Sequence, residues 1–240
     1  VRREMRPGDA VIFNDRARRL RFDLEPHAGI DDYVVHSAGQ SYLQAGLKGD
    51  AEAVVAAADR RDRRIWYLNA GDPPNTPPFV RRALAVETYA LRRDVVDGTE
   101  LSLWAVGIPD GAAAPMAPFG GLAVLREARF SRAAAPGGDL LVDLKWDCTR
   151  PIKEAYTVFV HLEDGTGKLV AQHDGEPGAG FLPTTSWQPG MTIEDRHGVS
   201  IPASVSPGTY RLIVGLYHGD QRLSLPDGSN QFIVGDVRVG

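Results

Sequence analysis

Residues 156–177, YTVFVHLEDGTGKLVAQHDGEP, and residues 194–223, EDRHGVSIPASVSPGTYRLIVGLYHGDQRL, decide the fold class of the C-terminal half. In YTVFVHLE, Tyr156, Val158, Val160 and Leu162 fall on one face of an extended chain, and Thr157, Phe159, His161 and Glu163 on the other, the period of two that a strand imposes. One of those faces is a core face. Asp164-Gly165-Thr166-Gly167 then supplies residues that accept a positive φ, and Leu169-Val170-Ala171 resumes the apolar run, which predicts a β-hairpin. Ser206-Pro207-Gly208-Thr209 turns the chain into YRLIVGLY, where Tyr210, Leu212, Val214 and Leu216 alternate with Arg211, Ile213, Gly215 and Tyr217. Short strands with turn signals at this spacing run from Leu122 to Val239, and predict an antiparallel β-sandwich of Ig-like or jelly-roll type.

The first half follows a different rhythm. Asp9–Phe13, Asp32–His36, Arg64–Leu68 and Leu101–Val106 read as strands, while residues 16–22, 50–61 and 77–93 carry helical signals: apolar positions three and four apart, Asp50 as a cap, and prolines at a helix entrance. The order β-α-β-α-β-α-β predicts a small Rossmann-like α/β layer with a largely parallel sheet and right-handed crossovers. GIPDGAAAPMAPFGG, from Gly107 to Gly121, has no periodicity and reads as a linker. The expected division is therefore an α/β domain at 1–107, a linker at 108–121 and a β-sandwich at 122–240.

Composition narrows the function classes. At 240 residues and 43% apolar content the chain can bury a core large enough for two domains. A net charge of -4 offers no basic field to a phosphate backbone, and the clusters ARRLR and RRDRR read as solvated helix faces, so nucleic acid is not an expected partner. The single cysteine, Cys148, excludes an internal disulfide and any multi-cysteine zinc site. No apolar run approaches the ~20 residues that span a bilayer. The chain opens Val1-Arg2-Arg3 without an initiator Met, which suggests an excised portion of a longer protein or a processed chain.

Chemistry-bearing residues concentrate in the second half. His161, His173 and His197, with Asp174 and Asp195 nearby, are residue types a divalent metal recruits, and equally the types that satisfy turn and edge backbone groups. Parity places Asp195, His197, Val199 and Ile201 on one strand face, with the two polar residues expected near a rim. Trp187, between Thr184-Thr185-Ser186 and Gln188-Pro189-Gly190, either plugs the end of the sandwich or offers a stacking surface to a sugar ring. Trp146 shares the parity of Val142 and Leu144 and belongs in the core. Tyr217, His218, Asp220 and Arg222 surround a tight turn and can form a polar rim. The ligand-binding candidates are Trp187, His173, Asp195, His197, Tyr217 and Arg222. No glycine-rich turn follows the first strand, as a dinucleotide site would need, and no nucleophile elbow, P-loop or HExxH is present. Adjacent Glu163 and Asp164 point to opposite faces of a strand and make no glycosidase pair. No catalytic residue, metal or cofactor is expected.

Several short motifs in order carry a resemblance: Tyr156–Leu162, Gln172-His173-Asp174 with Pro177, Trp187-Gln188-Pro189-Gly190, Asp195-Arg196-His197, and Pro207-Gly208-Thr209-Tyr210 leading to Gly215-Leu216-Tyr217 and Arg222-Leu223. With Pro7–Phe13 and Arg64–Leu68 they resemble the extracytoplasmic C-terminal region of bacterial multi-spanning glycosyltransferases of the polyprenyl-phosphate-sugar class, similar to protein O-mannosyltransferases. The resemblance implies a soluble, non-catalytic appendage on the extracytoplasmic face of the membrane, partnered by the membrane domain of its own chain. Such a region would bind an acceptor glycan or polypeptide, or brace the membrane domain. Two other readings compete: a free-standing enzyme around Asn14, Asp15, His36 and Asp72, and a metal-dependent sugar module using His161, His173, Asp195 and His197.

Overall fold

Apolar strands build most of the chain, which in a computed structural model is described at residues 4–13, 30–34, 52–58, 64–69 and 78–240. Asn14, Asp15, His36, Asp72 and the helix expected at 16–22 lie outside those residues. The chain divides into two compact units, Val1–Gly107 and Ile108–Gly240.

In the first unit, β1 (Asp9–Phe13), β2 (Asp31–Val34) and β3 (Arg64–Asn69) pair in parallel in the order β2-β1-β3. Every residue of β1 is buried, the pattern of a parallel strand covered on both faces. Residues 52–58 are helical, with Val55 and Ala58 buried three positions apart, inside the helix expected at 50–61. At the entrance of β1 the buried Asp9 carboxylate accepts from Arg64 Nε at 2.9 Å, Arg64 Nη2 at 2.6 Å, Trp66 Nε1 at 3.0 Å and the backbone N–H of Arg6 at 2.9 Å. Four donors satisfy that buried charge and fix Asp9 opposite Arg64 in the β1–β3 register.

The largely parallel layer expected here is corrected. The helix covers Phe79–Glu87 and does not continue to 93: the Thr88 hydroxyl and N–H both donate to the Leu84 carbonyl, and Thr88 itself is extended. Tyr89–Val96 is a strand, β4, hairpin-paired to β5 (Thr99–Ala105) across Asp97 and Gly98, whose φ values are 49° and 72°. An Asp-Gly pair with both residues left-handed makes the tight turn that matches strand twist. β5 runs antiparallel to β3, so the sheet is mixed, in the order β2-β1-β3-β5-β4. Trp104 is buried on β5, its indole N–H donating to Ser102 Oγ at 2.9 Å.

The second unit contains two sheets. One has the order β13-β10-β8-β6, from Thr192–Ser200, Asp139–Cys148, Ala123–Phe130 and Gly111–Ala113, with β7 (Ala117–Phe119) also paired to β8. The other has the order β12-β11-β14-β16-β9, from Leu169–Gly175, Thr157–Glu163, Gly208–His218, Phe232–Val239 and Ala133–Ala134, with β15 (Gln221–Arg222) paired to β14. All these pairs are antiparallel except β16 with β9. The stretch expected as a linker is thus corrected: it holds β6 and β7, and Phe119 is buried edge-on against Trp146 at 5.6 Å. Strands three residues long are too short to display a period of two.

The alternation read from the sequence sets the packing. Val142, Leu144 and Trp146 of β10 meet Val158, Val160 and Leu162 of β11 and Leu212, Val214 and Leu216 of β14 in one hydrophobic cluster. The other faces of β11 and β14 turn away from that cluster and carry Phe159, His161, Ile213 and Tyr217.

Candidate binding site

β12 divides the polar residues of the second unit between its two faces. His173 points inward, towards β13 of the facing sheet, and its neighbour Asp174 points outward, as strand parity requires.

On the inner side, Asp195 and His197 are each only 1% exposed. They sit in the middle of β13 rather than at a rim, which corrects the sequence expectation. The Asp195 carboxylate accepts from His197 Nε2 at 2.8 Å and from the backbone N–H of Gly178 at 2.8 Å, and His197 Nδ1 meets His173 Nδ1 at 2.9 Å. The carboxylate accepts the proton of His197 Nε2, and the short Nδ1–Nδ1 contact requires one of the two rings to donate and the other to accept. Burial would raise the Asp195 carboxyl, but the charge of His197 and its hydrogen bond, with the Gly178 N–H, outweigh it and hold the group below the usual carboxylate range. Burial, with the adjacent His197, pushes His173 down to about 3, so it stays neutral. The array also fixes the turn Pro177–Gly180, where Gly178, Ala179 and Gly180 all have positive φ, at 59°, 53° and 89°. For Ala179 that is a strained conformation, and its position is determined by the bond from Gly178 to Asp195.

Trp187 is 1% exposed, packs 6.5 Å from Trp146, and donates from Nε1 to the Leu182 carbonyl at 2.8 Å. Buried in this way, it offers no stacking surface to a sugar. Trp146 Nε1 is buried without a partner among the described residues.

On the outer side a different cluster forms. His161 Nε2 donates to Asp174 Oδ1 at 3.1 Å, and the Tyr217 hydroxyl bonds to the same carboxylate. Burial would raise Asp174, but the hydrogen bond and charge of His161 and the Tyr217 bond hold it below the usual range. Burial, then the charge and bond of Asp174, push the Tyr217 phenol up. Phe159 lies beneath this group, 4.7 Å from the His161 ring and 6.3 Å from the Tyr217 ring. The Arg222 guanidinium stacks over Phe159 at 4.2 Å, with Nη1 donating to Gln231 Oε1 at 3.0 Å. Phe159 takes this position because its register partner on β14 is Gly215; a Cβ there would overlap the ring.

The six sequence candidates therefore separate. His173, Asp195 and His197 converge inside, bonded to one another. Tyr217 and Arg222, opposite each other in the β14–β15 register, converge outside. The metal quartet does not assemble, because His161 lies on the outer face with Asp174, away from the other three. Among the described residues no group of three or more His, Cys, Asp or Glu is placed to hold a metal. Sequence reasoning missed Phe159, Asp174 and Gln231 as members of an outer cluster. The available signal was Gly215, a glycine inside an apolar strand, which marks a close approach by a neighbour.

A third polar region, a cavity of about 250 Å³, lies over β8, β10 and β13 and is lined by Glu127, Arg129, Asp143, Lys145, Glu194 and Arg196. Its charges answer one another: Arg129 and Lys145 pair with Glu127 at 3.1 and 3.3 Å, and Arg196 pairs with Asp143 at 3.3 Å.

No protein-family model matches the chain, and no curated protein matches it. Among solved structures it is similar to the C-terminal domain of Wzt, at 10% identity and TM-score 0.35, over 56% of this chain and 81% of that one. It is similar to a β-glucosidase from Listeria innocua in complex with gluconolactone, at 16% identity and TM-score 0.28, over 47% of this chain and 16% of that one. A Pseudomonas fluorescens alkylpurine DNA glycosylase, AlkC, is similar at 9% identity and TM-score 0.25, over 85% of this chain and 48% of that one. Similarity at this level transfers no function to the chain.

Proposed function

We propose that the chain is a non-catalytic accessory region of a membrane glycosyltransferase-like protein, and that its second unit is a β-sandwich that binds an acceptor glycan on the outer face of the β12-β11-β14-β16-β9 sheet. In this reading it stands on the extracytoplasmic side, joined to the membrane domain of its own chain; none of its described helices is long and apolar enough to cross a membrane. The observation that carries the reading is the outer cluster. It places an ionised carboxylate, a guanidinium and the phenol ring of Tyr217 side by side over the buried Phe159, with Asp174 and Arg222 exposed and Tyr217 partly exposed. Sugar recognition needs this combination of hydrogen-bonding groups and a flat ring.

A glycan array probed with the 240-residue chain tests it, with Tyr217→Ala and Arg222→Ala as controls. Expected is binding to at least one glycan class, lost in both variants while the melting temperature holds. Failure of the folded chain to bind any glycan would overturn the glycan reading.

A further inference from the structure

The outer cluster also carries information about its ligand, on the premise that the face binds glycan at all. We propose that Asp174 and Arg222 together grip a vicinal diol of a neutral hexopyranose, with Asp174 accepting from one hydroxyl and Arg222 donating to its neighbour.

Phe159 is the common reference point. Asp174 is its direct partner in the β11–β12 register, and the Arg222 guanidinium lies over its ring at 4.2 Å. Both charges also act on Tyr217. Opposite charges flanking one ring would ordinarily close into an ion pair. These two do not: Arg222 bonds Gln231, and Asp174 takes His161 and Tyr217. Each group is bonded to a partner of its own, and no ion pair joins the two.

Their remaining hydrogen-bond capacity defines what they can bind. A carboxylate offers about four acceptor positions. His161 and Tyr217 use two of those on Asp174, whose side chain is 28% exposed, so acceptor capacity remains towards solvent. A guanidinium offers five donors, and Arg222 commits Nη1 to Gln231, which leaves the remaining donors of an exposed group free. A hydroxyl both donates and accepts, so two adjacent hydroxyls can satisfy Asp174 and Arg222 together, and the sugar ring can rest on the Tyr217 face. A carboxylate-bearing sugar meets Arg222 favourably but sits against Asp174, which the cluster holds ionised. An inorganic anion meets the same repulsion. The site therefore selects neutral over acidic glycans.

Calorimetric titration of the 240-residue chain with a neutral mannan oligosaccharide, a neutral β-glucan oligosaccharide and an acidic oligogalacturonate tests this. Expected is measurable affinity for a neutral oligosaccharide and none for the oligogalacturonate. Asp174→Asn and Arg222→Ala should each weaken neutral binding at least about tenfold, and Arg222→Lys, which keeps the charge but loses the planar fork, should not restore it. Asp174→Asn should also admit the acidic ligand. Thermal melts confirm that each variant is folded; if one is not, a glycan lacking one hydroxyl of the diol, titrated into the unaltered chain, makes the same test from the ligand side. Neutral binding unchanged in the variants, or a preference of the unaltered chain for the acidic ligand, overturns the diol assignment and leaves glycan binding standing. No binding of any of the three by folded protein overturns both.

Discussion

His197 with Asp195 and His161 with Asp174 are the same two residue types in the same hydrogen-bonded arrangement, on opposite sides of one strand. The inner pair is sealed between two sheets, bonded to His173 and to the backbone of Gly178, and its capacity is consumed within the chain. The outer pair is braced by Tyr217 and keeps part of its carboxylate in solvent. Burial thus separates a structural polar network from an available one, and residue identity does not.

Substitutions should separate the two pairs by size of effect. Asp195→Ala leaves the Gly178 and His197 N–H groups buried without an acceptor, and should cost about 4 kcal/mol, a fall in Tm on the order of 10 °C read by circular dichroism. A loss below 1 kcal/mol would break the comparison. Acidification should act next. His173 stays neutral in the folded chain down to about 3, against an ordinary 6.5, so the unfolded chain binds more protons between those values and stability falls as pH drops through that window. At about pH 5 the loss should reach about 2 kcal/mol. The depressed Asp195 carboxyl adds to it with the same sign, its stabilisation disappearing as pH falls through its folded value. Urea melts of the unaltered chain and His173→Gln should show the variant with the shallower pH slope; equal slopes would remove His173 from the account. Gly215→Ala, which drives a methyl into Phe159, should cost about 1–2 kcal/mol and unseat Arg222 from the ring. Asp174→Ala should cost under about 1 kcal/mol, while abolishing glycan binding if the outer face is the site.

Much of this was legible in the sequence, and the failures have physical causes. YTVFVHLE separates Val158, Val160 and Leu162 from Phe159 and His161 because strand parity is local, but parity does not say which set is the core. Parity puts Asp195 and His197 on one face but carries no depth, and the partners that permit their burial lie 17 to 24 residues away. The Asp97-Gly98 hairpin is masked in the sequence because Leu84, Val86 and Leu91 also fit a helical stripe; Thr88 arbitrates by extending. The outer cluster depends on register, Phe159 against Gly215 and Tyr217 against Arg222, and register is a non-local property that no window of sequence displays.

The four tryptophans have a practical consequence. Trp66 and Trp104 are buried in the first unit, and Trp146 and Trp187 in the second. Fluorescence of the unaltered chain therefore mixes signals from both. Replacing Trp66 and Trp104 by Phe leaves two emitters that lie 6.5 Å apart and shielded from water, reporting on the second unit alone. The complementary pair of replacements would isolate the first, so the two halves could be watched losing structure separately within one polypeptide.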